Sequence, residues 1–569
     1  MSGLQPVLLR GVLIAFVSFV VSALTGMAIF AVPEYGPIPL LMLLFFAAMI
    51  AKSPRRSPAT LGSAQLAELE DVFHAGLTDC EDGILLGEAT GLEPPGLLAG
   101  LQSLFFLPPW QSRRALQLFL ASPKKSYRLR LPDHLSPHIA FVSPTGGGKS
   151  AAYAITNLLM DHSCAIVLDY KGELMRNTAH VRRDRFGQIV GAIAPFGVPD
   201  DIDIPVFRFN PLQLIDPQSP FVLDDCRSIA DSLIIKSKNE QQPFFPDSAK
   251  LFVQNVLGGI VYGFPDAESS TLNQMKTIVT IASELDAFVD YLQTDVENER
   301  DLVCELAGQL NSFQGDTRYN VLATVNSQLE WMQSPSIAAS LSDTTFQPGE
   351  LLRNRPGMTL YVHLPVDRIR TYRGYTRVIL TALINFIIRA GESRTRRIRF
   401  YLDESSGLGP DLESLYTSLV YGRSYGIRLN FFYQAISQVQ EMFPESRADD
   451  FIANTIQVYT GTRDVKTAKQ ISEWIGRRTV ETESRQRGHT RGFSVQQQQR
   501  QGGSVGHSWS WSSSCSTHQM ARELIQPEEI LQLPKSTSLV LLPYCRPIIA
   551  RPVFYFQDKI LNRLACTRR

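Results

Sequence analysis

The stretch FVSPTGGGKSAAYAITNLLM, residues 141–160, admits few folds. His138-Ile139-Ala140-Phe141-Val142 reads as a short buried strand, and Ala152, Ile155, Leu158 and Leu159 as the apolar stripe of a following helix. Between them lies Ser143-Pro144-Thr145-Gly146-Gly147-Gly148-Lys149-Ser150. The phosphate-binding pattern G-x-x-x-x-G-K-[ST] is met except at its first position, where Ser143 stands for glycine. Three consecutive glycines let backbone N–H groups wrap an anion with no Cβ in the way. Thr145, Gly146, Gly147, Gly148, Lys149 and Ser150 are therefore expected to cradle ATP. Lys149 would reach the β- and γ-phosphates, Ser150 would ligate Mg2+, and the helix would point its positive end at the anion.

A phosphate loop needs a second, acidic strand. Arg399-Phe400-Tyr401-Leu402-Asp403-Glu404 supplies it. Alone, such a pair is an ordinary solvated strand end. Beside an upstream phosphate loop it reads as a metal-holding Asp403 and a water-polarising Glu404. A later strand, Leu429 to Tyr433, ends at Gln434, whose amide can sense the γ-phosphate from a neighbouring strand tip; a plain strand-end glutamine is the alternative.

The N-terminus adds a membrane. Gly11 to Val32 is a run of 22 uncharged, mostly apolar residues, enough to span a bilayer. After Pro33-Glu34-Tyr35-Gly36-Pro37, a second run of 14, Ile38 to Ala51, crosses if its helix begins near Gly36 and its flanks snorkel. Arg10 precedes the first run, and Lys52, Arg55 and Arg56 follow the second. The positive-inside rule then predicts a two-helix hairpin with Glu34 outside and both termini cytoplasmic. A cleaved signal peptide fits less well, because the first apolar run is too long for one. At 569 residues the chain needs several domains. Lys+Arg and Asp+Glu are both 55, a balance that neither supports nor excludes nucleic acid. Seven cysteines without a CxxC pair read as thiols in a reducing compartment and support no zinc site.

Beyond the phosphate loop, the motifs resemble those of the type IV secretion coupling proteins, the TraG/TraD-type ATPases of conjugation and effector export. GILLGE (83–88) looks like the segment preceding the nucleotide site, and VLDYKGELMRNTAHVRR (167–183) like the family's aspartate-x-Lys-Gly-Glu motif, with Tyr170 where proline is common. FRFNPL (207–212) and FFPDSAK (244–250) look like the lead-in and first helix of its helical domain. FYLDESSGLG (400–409) resembles its acidic strand, with Ser405 where a large apolar residue is usual. GRSYGIRLNFFYQAISQ (422–438), IANTIQVYTGTRD (452–464) and RELIQPEEILQLP (522–534) continue the likeness. The resemblance implies a RecA-like homo-hexamer at the inner membrane. It also implies that Arg423 is an arginine finger contacting ATP in the neighbouring subunit; bottom-up, the same residue reads as a surface charge closing a helix.

The expected fold class is α/β: a RecA-like P-loop core with an inserted all-α domain and an N-terminal transmembrane hairpin. The expected boundaries are 1–56 for the hairpin, 57–135 for a membrane-proximal segment, 136–211 and 346–569 for the nucleotide-binding domain, and 212–345 for the all-α domain. Residues 482–520, with QQQQ (496–499), Gly502-Gly503 and SWSWSSSCS (508–516), read as a mobile polar loop. The arginines 477, 478, 485, 487, 491 and 500, with Phe493, Trp509 and Trp511, suit either a solvated loop or a grip on single-stranded DNA. The function so implied is an ATPase that couples relaxase-bound single-stranded DNA, or an effector protein, to the inner-membrane components of a type IV secretion channel. The alternatives are a nucleotide-regulated receptor without motor activity and an FtsK/HerA-type pump of double-stranded DNA.

Overall fold

The computed structural model describes residues 62–78, 83–90, 126–132, 138–236, 244–264, 269–294, 300–495 and 505–566. The hairpin expected over 11–32 and 38–51 lies outside them. Among the described residues no helix is long and apolar enough to cross a membrane. The chain divides into a larger unit (Ala64–Leu92, Lys124–Gly476, Glu523–Arg569) and a smaller one (Met1–Ser63, Glu93–Pro123, Arg477–Arg522).

In the larger unit, short runs that are apolar throughout become strands buried on both faces, the mark of a parallel sheet sandwiched by helices. In chain order the strands are β1 (Ile84–Thr90), β2 (Ser126–Leu131), β3 (His138–Val142), β4 (Cys164–Leu168), β5 (Ile189–Ile193), β6 (Val206–Phe207), β7 (Met358–Val362), β8 (Ile398–Leu402), β9 (Ile427–Tyr433) and β10 (Thr455–Thr460). There follow β11 (Arg477–Val495) and β12 (Val505–Glu523), then β13 (Ser538–Leu541) and β14 (Ile548–Ala550). Ten of them form one sheet, ordered β14-β13-β10-β3-β9-β8-β4-β7-β5-β6. From β10 to β6 the neighbours run parallel, and β13 and β14 close the other edge antiparallel. The strand β3 is thus flanked by β9, and β9 separates β3 from β8. This is the arrangement of a RecA-like P-loop core, in which ligands sit beyond the carboxyl ends of the strands.

The helices α1 (Leu69–His74), α2 (Ile155–Leu158) and α3 (Glu173–His180) pack around this sheet, α2 continuing a π-turn over Ser150–Ala154. Asn157 of α2 clamps β1: the Leu85 N–H donates to its Oδ1 at 2.7 Å, and its Nδ2 donates to the Leu85 carbonyl at 3.1 Å. The antiparallel pair β1–β2, expected in a membrane-proximal segment, therefore packs on the nucleotide-binding core.

Between β6 and β7 the described residues form helices only: α4 (Val222–Leu233), α5 (Phe244–Gly263), α6 (Leu272–Thr280), α7 (Ala282–Thr294), α8 (Arg300–Ser312), α9 (Gly315–Gln328) and α10 (Pro335–Ser340). After β7, α11 (Arg373–Arg389) returns to the sheet, and Arg389 pairs with Asp225 of α4 at 2.7 Å, tying the helical insertion to the core.

The smaller unit corrects one expectation. Within residues 482–520, read from the sequence as a loop, the described stretches 482–495 and 505–520 are strand: β11 and β12, 19 residues each, pair as a two-stranded sheet. Each strand is about 63 Å long, and nine connecting residues reach at most about 32 Å, so the pair must be antiparallel. The sequence reads as loop because strand recognition relies on one apolar face. A two-stranded ribbon pairs the inward half of its backbone groups across the strands and leaves the outward half to other partners, and it needs no such face to be regular.

Candidate active site

The cradle forms where β3 ends. Gly147 sits so close beneath the loop that a Cβ there would lie 2.0 Å from Ser143 Oγ, while Gly148, at φ +82°, would drive one to 2.5 Å from the Phe554 ring. Ser143, in place of the pattern's first glycine, is buried under this turn. The Lys149 side chain is buried, and the helical turn begins at Ser150.

The strand order brings the other expected residues to it. Asp403 and Glu404 follow β8, Gln434 follows β9, and β9 lies between β8 and β3. Gln434 bridges the two sides: Thr145 Oγ1 donates to its Oε1 at 3.0 Å, and its Nε2 donates to Glu404 Oε2 at 3.0 Å. Glu404 Oε1 lies 3.5 Å from Lys149 Nζ and 3.7 Å from Lys171 Nζ. Its backbone is left-handed, at φ 51° and ψ 48°, an unfavourable conformation for a residue with a side chain. That turn swings the carboxylate from the strand axis toward Lys149 and Gln434. Asp403 is buried, its Oδ1 takes no hydrogen bond, and its pKa is pushed up to about 6, by burial first and then by the adjacent Glu404 charge.

Two further residues belong here that sequence reasoning quoted only as part of a motif. The pairing of Leu168 with Leu402 sets Asp169 and Asp403 side by side at neighbouring strand tips. Asp169 is fully buried. Its Oδ2 accepts the Met175 N–H at 2.8 Å, its Oδ1 takes no hydrogen bond, and burial raises its pKa to about 6. Lys171 supplies the second cation at Glu404. A strand ending in an acid, followed by lysine and a left-handed glycine (Gly172, φ +67°), was the available signal. Lys535, also unforeseen, donates to the Gly146 carbonyl at 3.1 Å.

Arg423 is not brought to this site. It is exposed and precedes β9, at the opposite end of the strand from Gln434. Its carbonyl accepts from Gly426 N–H at 3.2 Å and from Arg428 Nη1 at 3.1 Å.

The donor set fits a hard divalent cation. Asp403 and Asp169 present hydrogen-bond-free carboxylate oxygens in a buried position that otherwise opposes their charge, and Ser150 offers a hydroxyl beside Lys149. A magnesium-bound triphosphate would satisfy both sets: the cation neutralises the acids, and the loop amides and Lys149 meet the phosphates.

Residues 111–567 match the family model of type IV secretory system conjugative DNA transfer. The chain is 24% identical over 436 residues to the type IV secretion system-coupling protein VirD4 of Bartonella quintana (strain Toulouse), covering 75% of this chain and 64% of that protein. It is 25% identical over 431 residues to a probable conjugal transfer protein TraG of Sinorhizobium fredii (strain NBRC 101917 / NGR234), covering 74% and 62%. The chain thus spans less than two-thirds of the length of these relatives. The fold is shared with the bacterial conjugative coupling protein TrwB, at TM-score 0.55 and 17% identity over 75% of this chain and 87% of that one. A TrwB structure in complex with ADP and Mg2+ matches at TM-score 0.54 and 17% identity, over 75% and 88%.

Proposed function

The chain belongs to the type IV secretory system conjugative DNA transfer family, and on that premise we propose that it is an inner-membrane ATPase that couples cargo to a type IV secretion channel and drives its transfer. The cargo is relaxase-bound single-stranded DNA or an effector protein, and the working form is a homo-hexamer anchored by the N-terminal hairpin. What carries the reading is the relay Thr145–Gln434–Glu404, with Lys149 beside Glu404. It joins the anion cradle to a carboxylate able to polarise water, which a mere nucleotide-holding site does not need.

Lys149 and the loop amides bind and orient the triphosphate. Ser150, and Asp403 through water, are the residues that would hold Mg2+. When bound, the metal offsets charge on the phosphate oxygens. Glu404 accepts the proton of the attacking water, and Gln434 keeps its carboxylate aimed while reporting on the γ-phosphate through Thr145. Arg423 from the next subunit stabilises the charge developing on the transferred phosphoryl group.

The test is steady-state ATP hydrolysis. Glu404→Gln keeps the hydrogen-bonding shape but removes the base, and is expected to cut turnover about 10²- to 10⁴-fold with nucleotide still bound. Parental turnover by that variant would overturn the assignment. Lys149→Ala separates motor from receptor: a motor loses transfer yet keeps cargo binding, whereas a nucleotide-independent receptor keeps both.

A further inference from the structure

We propose that Lys171 is a positioning residue for hydrolysis, the cation that keeps the Glu404 carboxylate aimed at the attacking water while Lys149 serves the phosphates; the proposal rests on the ATPase reading above and names a further residue of the same site. Two lysines meet one carboxylate oxygen. Glu404 Oε1 lies 3.5 Å from Lys149 Nζ and 3.7 Å from Lys171 Nζ, while Oε2 accepts from Gln434 Nε2 at 3.0 Å. The two cations differ in their surroundings. The Lys149 side chain is 8% exposed and stands in the anion cradle, where phosphate oxygens are its natural partners. The Lys171 side chain is 47% exposed and reaches Glu404 from the turn after β4, outside the phosphate loop. Lys149 cannot serve Glu404 and a triphosphate equally. On turning to phosphate it leaves the carboxylate beside several new negative charges, which repel it. Lys171 is the cation that stays on Glu404 and holds it against that repulsion.

The fold gives Lys171 a fixed base that an incidental surface lysine lacks. The pairing of Leu168 with Leu402 brings the chain after β4 and the chain after β8 out of the sheet side by side. Asp169 ties the turn to α3, its Oδ2 accepting the Met175 N–H. Gly172 closes the turn at φ +67°, pressed so near Pro199 that a Cβ would lie 2.8 Å from its ring. Lys171 stands between these two anchors. On the other side of the contact, Glu404 holds a left-handed backbone, φ 51° and ψ 48°. Such a conformation persists only where its surroundings over-determine it. Gln434 on one carboxylate oxygen and the lysines on the other supply part of that restraint. A half-exposed ion pair contributes little to folding, so the use of this one lies in aiming the carboxylate. A lysine that bound phosphate instead would act on substrate affinity, whereas one that aims Glu404 acts on turnover alone.

The experiment measures steady-state ATP hydrolysis by the full chain, with affinity read separately by titration of a fluorescent ATP analogue. Lys171→Met keeps most of the side chain's length and removes its charge. It is expected to lower kcat about 10- to 100-fold and to leave KM and affinity within about 2-fold of the parent. Lys171→Arg restores the charge and is expected to recover most of the loss. In the Glu404→Gln background no carboxylate charge remains to be held, so adding Lys171→Met is expected to change nothing further, as for two residues that act as one unit. Parental thermal melting, expected when a half-exposed ion pair is removed, establishes that each variant is folded. Parental kcat in Lys171→Met, a raised KM with kcat unchanged, or an equal loss in the Met and Arg variants would each overturn the proposal. Those results leave the ATPase reading standing as long as Glu404→Gln is impaired. Glu404→Gln turning over like the parent removes that reading itself, a different outcome.

Discussion

His138, the first residue of β3, shows how strongly one buried ring can tie this fold to pH. Its Nδ1 accepts the Leu429 N–H at 3.1 Å, which requires the neutral ring. Burial first, then the nearby Arg428 and Arg423, lower its pKa from 6.5 to about 3. The unfolded chain takes up a proton at pH 6.5 and the folded chain does not, so the contribution is complete above pH 6.5 and is lost as pH falls toward 3. Between pH 6.5 and 5 the loss is about 2 kcal/mol. Urea unfolding at pH 7 and pH 5 should show that share of the acid destabilisation in the parent and not in His138→Gln. The acids of the candidate site are the opposite case and explain a gap in the sequence reading. Lys149, Ser150, Asp403, Glu404 and Gln434 could be named as candidates from the sequence because each sits in a recognisable local pattern, and the structure gathers them at neighbouring strand ends. Asp169 could not, because what marks it is its place beside Asp403 across a strand pair joined by some 230 residues of intervening chain, a distance no local pattern carries.

At the scale of elements, buried strands announced themselves. The run at 138–142 has the predicted bounds, because a strand covered on both faces is apolar at nearly every residue. The polar ribbon was missed for the converse reason. What no pattern reveals is how elements are fastened, and here Arg377 of α11 is instructive. It is buried, and burial lowers its pKa to about 10, so it remains a cation at neutral pH. Its Nε donates to the Ser232 carbonyl in the last turn of α4 at 2.9 Å, and its Nη1 donates to the carbonyls of Leu408 at 3.1 Å and Pro410 at 2.8 Å. The negative end of α4 and the turn after Glu404 are thus pinned to one guanidinium. Arg377→Met keeps much of the volume but strands three carbonyls, each worth about 1–3 kcal/mol when left unpaired. The expected result is a loss of several degrees in thermal midpoint, together with reduced hydrolysis although Arg377 touches no substrate. A variant melting and turning over like the parent would show that the helical insertion and the Glu404 turn are fastened by other contacts.

For the whole molecule the deciding fact is the length of β9. Arg423 lies before its first residue and Gln434 after its last, and seven strand residues span about 23 Å. That is farther than an arginine side chain reaches, so no chain can bring its own Arg423 to its own cradle. If Arg423 completes a site, the site belongs to another copy, and the contact between copies is head-to-tail, of the kind that closes rings. Two inactive variants then complement each other. Lys149→Ala subunits keep the arginine but lack the cradle lysine, and Arg423→Ala subunits keep the cradle but lack the arginine; the latter alone should lose about 10³- to 10⁵-fold in turnover. Mixed and reassembled in equal amounts, an intact cradle meets an intact arginine at about one interface in four if copies assemble at random around a ring. Hydrolysis should therefore recover to a sizeable fraction of the parental rate, and should rise with total protein concentration as copies associate. If the mixture stays as inactive as its components while each still binds nucleotide and assembles as the parent does, Arg423 completes no neighbouring site and serves only the fold of its own chain. Any coupling of hydrolysis in one copy to the position of the next would then have to run through a different residue.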